Sequence, residues 1–129
     1  MRISRRVAPR ADAIKKMDFV PLEQVKAHLR VIGEDEDDVL TLYRNAAERA
    51  AECYLGRHVY GTEQALLVAI EAGIAGDAPM VADDDVRAAV LLTVGYLYRH
   101  REETMTPVAQ PLSPGARWLL LPHRVHMGV

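Results

Sequence analysis

The sequence predicts an all-α fold, a small helical bundle around one long central helix, with an extended N-terminal arm and a C-terminal tail. Two observations carry this. Apolar residues recur at spacings of three and four in separate segments that glycines interrupt. The run AAVLLTVGYLY, Ala88 to Tyr98, is apolar almost all the way round, so its helix must be enclosed by the others.

In chain order, Pro21 suits a first helical position, and Leu22, Val25 and Leu29 in PLEQVKAHLRV form the stripe of a short first helix that Gly33 breaks. The acidic run EDEDD, Glu34 to Asp38, leads into a second helix whose expected stripe is Val39, Leu42, Tyr43, Ala46, Ala47, Ala50, Cys53 and Tyr54, ending at Gly56. Arg44 and Glu48 are expected as a surface pair on its outer side. Five contiguous acids do not alternate as calcium-loop ligands do; in a first helical turn they complement the macrodipole and supply caps. DDD, Asp83 to Asp85, reads the same way.

Between Arg57 and Ala82, TEQALLVAIEA is a candidate helix, Val59 and Tyr60 can begin a short strand, and Gly73, Gly76 and Pro79 break the pattern. The central helix is expected from about Asp83 to Thr104, with Gly95 permitting close approach of a neighbour. Pro107, Pro111 and Pro114 oppose regular structure, and ARWLLLPHR then offers a last short apolar segment. The expected divisions are a basic arm over 1–17, a helical domain over 18–106 and a Pro-containing docking segment over 107–129.

Half of the 129 residues are hydrophobic and 26% are charged, which suits one domain with a sizeable core. No apolar stretch reaches the ~18 residues a membrane span needs, and no apolar block follows the basic residues near Met1, so neither a span nor a secretory signal is expected. Cys53, the single cysteine, excludes an internal disulfide and is expected as a small core residue. The net charge of −2 is uneven: Arg2, Arg5, Arg6, Arg10, Lys15 and Lys16 against Asp12 make the arm basic, so the body is acidic. Such an arm can contact phosphates or an acidic protein surface, but a solvated terminus is the more common case. An acidic body with one Trp and one Phe argues against a dedicated nucleic-acid module.

Tests for catalysis are negative. Among His28, His58, His100, His123 and His126 there is no zinc-protease pair, and a metal at His123 and His126 is disfavoured. LGRHVYG lacks the Lys and hydroxyl of a phosphate loop, and neither Ser4 nor Ser113 sits in a serine elbow. His100 beside Glu103 has no nucleophile and no pocket to serve. No enzyme activity, metal or cofactor is expected. Trp118, Leu119, Leu120 and Leu121 are consecutive, so a short helix points them to several sides, and Trp118 and Leu121 are candidate interface anchors, with Arg124 suited to a partner's carboxylate.

Taken in order, LEQVKAHLRV, an acidic stretch into DDVLTLYRNAAERAAECYLGR, then DVRAAVLLTVGYLYRHRE, and finally LSPGARWLLLPHR resemble the head-to-tail connector (adaptor) proteins of tailed bacteriophages. The resemblance spans most of Leu22 to Arg124; the basic arm and the segment Ile74 to Val81 depart from the usual pattern. It implies a structural virion protein at the neck, made in the host bacterial cytoplasm and assembled into a ring, commonly of twelve copies. That ring joins the capsid portal to the next neck or tail-completion protein and extends the DNA channel without reading sequence. On this view the charged end of the central helix, Arg99, Arg101 and Glu102, emerges to meet a neighbouring subunit or the portal. The competing expectation is a small helical regulatory or nucleic-acid-binding module of a bacterial cell acting through its basic arm.

Overall fold

The computed structural model describes residues 19–101 and 112–125. Its elements are α1 (Leu22–Leu29), α2 (Asp37–Leu55), β1 (Val59–Tyr60), α3 (Glu63–Ala72), β2 (Met80–Val81), α4 (Asp84–Arg99) and α5 (Pro114–Leu120), followed by a 3-10 turn, Leu121–His123. The fold is mostly helical, as predicted, and α4 is its centre, packed against α1, α2 and α5.

The main core is built from i, i+4 rows. Val86, Val90 and Val94 of α4, with Ala89, face Leu40, Ala47, Ala51 and Leu55 of α2, and Ala116 and Leu120 of α5 close a third side. Phe19 and Val20 run in ahead of α1 and are buried with Val25. A second, small cluster of Tyr60, Ala69 and Ala75 lies under α3. There β1 and β2 pair in parallel, Val59 with Met80 and Tyr60 with Val81, and α3 is the connection between them.

Local chemistry sets most of the boundaries. Thr62, Asp83 and Ser113 each accept a hydrogen bond from the amide three residues on, at 3.1, 3.1 and 3.2 Å, and so cap α3, α4 and α5. Gly56 and Gly73 adopt left-handed conformations that end α2 and α3.

Several expectations need correction. Pro21 lies one position outside α1, as its N-terminal cap, with ψ of 152°. α1 ends before Gly33 because Arg30 takes the left-handed conformation (φ 61°, ψ 41°), with the Val31 amide donating back to the Lys26 carbonyl. Glu36 caps α2 without a side-chain hydrogen bond, so the acidic run contributes first-turn charge, Asp37 and Asp38, and an ion pair from Asp37 to Lys26 of α1 at 2.7 Å. α4 stops at Arg99, with His100 as its cap. Pro114 opens α5 instead of interrupting it, because a first-turn proline lacks only an amide that has no helical acceptor. A Cβ on Gly95 would meet only His28 Nε2 at 3.5 Å, an ordinary contact, so the close approach there is by a side chain.

The largest correction concerns which face of α2 is inside. Arg44 and Glu48, expected on the outer side, are each 8% exposed, while Cys53 and Ala46, expected inside, are exposed and Leu42 is 62% exposed. The reason is the Phe19–Val20 segment: laid against α2, it brings a buried amide that needs an acceptor, and Glu48 Oε2 receives the Val20 N–H at 3.0 Å. α2 is therefore turned so that its polar pair and small alanines face in, and part of its apolar stripe faces out.

Candidate functional site

The structure puts the predicted site residues in three places. The first is the end of α4. There Arg99 and His100 are exposed, the His100 ring stacks on Tyr96 with centroids 4.3 Å apart, and its Nδ1 lies 2.9 Å from the Tyr96 carbonyl. Arg101 turns back toward its own chain: its guanidinium lies over the Tyr98 ring at 5.2 Å and its Nη1 is 3.6 Å from Glu36 Oε1 at the start of α2. The Tyr98 phenol is held above its ordinary pKa, first by a hydrogen bond to Glu36 and then by burial, while the Arg101 charge acts in the opposite sense. Glu102 lies outside the described residues, as do Arg2, Arg5, Arg6, Arg10, Lys15 and Lys16 of the basic arm.

The second place is α5. Its inner side gives Ala116 and Leu120 to the core, whereas Trp118 is 73% and Leu121 56% exposed. Four consecutive large apolar residues on a helix span nearly all directions, and only one side of α5 meets α4. The exposure follows from the sequence and the packing together.

The third is the C-terminal end of α2. Arg124 Nε donates to the Tyr54 carbonyl at 2.8 Å, its guanidinium lies over the Tyr54 ring at 4.7 Å, and the Val125 amide donates to the Leu55 carbonyl at 2.9 Å. Both acceptors belong to the last turn of α2, whose carbonyls have no helical donor. Arg124 thus helps close the end of α2 through its Nε, while its side chain remains exposed. Arg101 and Arg124 stand at opposite ends of α2, about 27 Å apart along its axis at 1.5 Å per residue, so these residues do not form one site.

Sequence reasoning missed the two arginines that tie the segments together. Arg57, just past α2, donates from Nε to the Ala78 carbonyl (2.6 Å), from Nη1 to that of His123 (3.0 Å) and from Nη2 to that of Pro79 (3.4 Å). Arg87 of α4 donates from Nε to the Phe19 carbonyl (3.0 Å) and from Nη2 to that of Gly61 (3.4 Å). Each guanidinium presents a fork of donors to carbonyls brought together from distant parts of the chain. The one available signal was position: Arg57 follows the Gly56 cap, and Arg87 stands among apolar neighbours in DVRAAV.

His123, expected to hold no metal, has its Nε2 3.2 Å from Asp83 Oδ2 and 3.3 Å from Asp85 Oδ2. Asp83 at the same time caps α4 through its other oxygen. The trio joins the 3-10 turn to the start of α4, and nothing else in it points to an ion.

A cleft at the C-terminal end of α2 gathers polar groups, Arg49, Glu52, Cys53, Arg57, His58 and Asp77, of which Arg57 and Glu52 are engaged with backbone groups of their own chain. Apolar surface faces outward on α2 and around α5. Among the described residues no helix is long and apolar enough to cross a membrane. No curated protein and no solved structure gives a significant match to the chain. Residues 20–111 match the family model described as phage gp6-like head-tail connector protein. The match takes in α1 through α4 and leaves α5 and the last sequence motif, Leu112 to Arg124, beyond it. Its extent over most of the 129 residues, on a helical subunit with unpartnered apolar faces, places this chain in the family of phage gp6-like head-tail connector proteins.

Proposed function

We propose that the chain assembles into a closed ring of identical subunits that joins the capsid portal to the next neck or tail component and continues the DNA channel. The family match over residues 20–111 carries this reading, since the family's place is the head–tail junction of the virion and its role is structural. The exposed apolar residues support it: Leu42 on α2, Trp118 on α5 and Leu121 in the 3-10 turn after it are surface that a ring or a portal would cover.

On this reading subunit or portal contacts fall at the charged end of α4, through Arg99, Arg101 and Glu102, and around the end of α5, through Trp118, Leu121 and the exposed guanidinium of Arg124. Arg101 already has Glu36 as an ion-pair partner within its chain, so a neighbouring carboxylate would share or replace that partner. The basic arm, with six cations against one acid, meets an acidic portal surface or channel phosphates by charge alone.

Electron microscopy of the full chain, alone and mixed with the portal protein of the same particle, tests the proposal. A ring seated coaxially on the portal is the expected result. A monomer or dimer that ignores the portal and binds DNA with a steep salt dependence would overturn it in favour of a nucleic-acid module.

A further inference from the structure

The outward face of α2 and the near side of α5 enclose an open groove of about 690 Å³. Ala46, Ala50, Cys53 and Leu112 give it an apolar lining, and its charged lining residues are two cations, Arg49 and Arg117. The Arg117 Nε is buried and has no hydrogen-bond partner among the described residues. A buried guanidinium nitrogen left in this way costs stability until an acceptor reaches it. The groove is therefore suited to a segment that brings one apolar side chain together with carboxylates.

The same chain displays such a segment elsewhere. In the connection between α1 and α2, Ile32 is 95% exposed and is followed by Gly33 and the exposed acids Glu34 and Asp35. Nothing local accounts for a bare isoleucine beside two carboxylates: Lys26 pairs with Asp37 and Arg101 with Glu36, which leaves the outermost acids of the run facing solvent. The connection lies at the N-terminal end of α2 and the groove along its C-terminal half. Asp37 and Cys53 are about 24 Å apart along the helix, so a chain cannot fill its own groove with this connection.

We propose that the Ile32–Asp35 connection of one copy docks into the α2–α5 groove of the next. Ile32 sits on the alanine lining, and Glu34 and Asp35 supply acceptors to Arg49 and Arg117. Two different, complementary patches on opposite ends of one subunit make a heterologous head-to-tail contact, which closes into a ring when the rotation allows. The opposed charges also fix direction, because connection against connection would set acid on acid, and groove against groove would set cation on cation. This contact rests on the ring reading above and identifies which surfaces would form it.

The native Cys53 in the groove makes the contact testable in the full-length protein. In Ile32→Cys, a change at a fully solvated position, mild oxidation of the assembled protein should give a ladder of disulfide-linked multimers. Such bonds need Cα atoms within about 7 Å, which one chain cannot provide between these positions. The ladder should vanish when Cys53→Ser is added. Arg49→Glu should lower the ring fraction at least tenfold, and Glu34→Lys with Asp35→Lys in the same chain should recover much of it. Rings that form normally yet give no ladder and ignore the charge reversal would overturn this contact while leaving the ring reading intact. Absence of any oligomer, with or without portal, would overturn both. A Glu103→Cys variant that instead forms an intrachain bond to Cys53 would show the groove filled by the chain's own 102–111 segment, which also overturns the proposal.

Discussion

Arg57 shows how much of this fold depends on single guanidinium groups. Its three donors hold the Ala78 and Pro79 carbonyls ahead of β2 and the His123 carbonyl after α5. Arg57→Ala leaves these carbonyls without their donor and should cost about 2–4 kcal/mol in denaturant unfolding, since hydrogen bonds to charged groups contribute about 1.5–3 kcal/mol each and part of that is recovered by water. Arg57→Lys should rescue little, because one ammonium cannot span the fork. Arg30 is the opposite case. It is exposed and left-handed at the end of α1, where α3 has Gly73 in the equivalent position, so Arg30→Gly should raise stability by about 1 kcal/mol, read as a higher unfolding midpoint. Neither residue is distinguished in the sequence. An arginine reads as surface charge until the carbonyls around it are known, and a left-handed arginine gives no compositional sign.

At the scale of elements, what the sequence made legible was each helix taken alone. The Gly56 stop, the candidate helix before Gly73 and the acidic cap at Asp83 depend on chemistry within a few residues, and the sequence reports it directly, whereas the Ser113 cap was hidden by the prolines around it. The orientation of α2 was not legible, because its alanines make two adjacent faces nearly equal in hydropathy. The choice between them is made by the Val20 amide, 28 residues away in the chain from its acceptor Glu48. α5 presents a similar division. Read by sequence it is a tail with apolar residues to spare, and in the structure it is core on one side and surface on the other. Truncation after Leu112 should therefore destabilise the subunit by more than about 3 kcal/mol, since it removes Ala116 and Leu120 from the core together with the Arg124 and Val125 donors to the end of α2. A truncated chain that unfolds at the wild-type denaturant concentration would contradict this packing.

At the scale of the whole molecule, Glu48, Arg57 and Arg87 find partners far along the chain, and the core they close carries apolar surface that the described residues leave uncovered. The resemblance in sequence identified the family, and the match over residues 20–111 agrees with it, but the candidate interface was legible only in outline. Trp118 and Leu121 stood out because consecutive large apolar residues cannot share one side of a helix. The groove along α2 did not, because its lining residues read as core. Trp118 and Leu121, among the exposed large hydrophobic side chains, lie on the candidate interface beside α5, and their substitution divides assembly from folding. The most direct measurement is native mass spectrometry of the full chain beside thermal unfolding, for wild type and for the double variant Trp118→Ser, Leu121→Ser. The account predicts one closed oligomer for the wild type, and for the variant a loss of that oligomer with the subunit's own melting temperature changed by no more than a few degrees. A variant that keeps the oligomer, or a wild type that stays monomeric at every concentration and in the presence of portal, would contradict it.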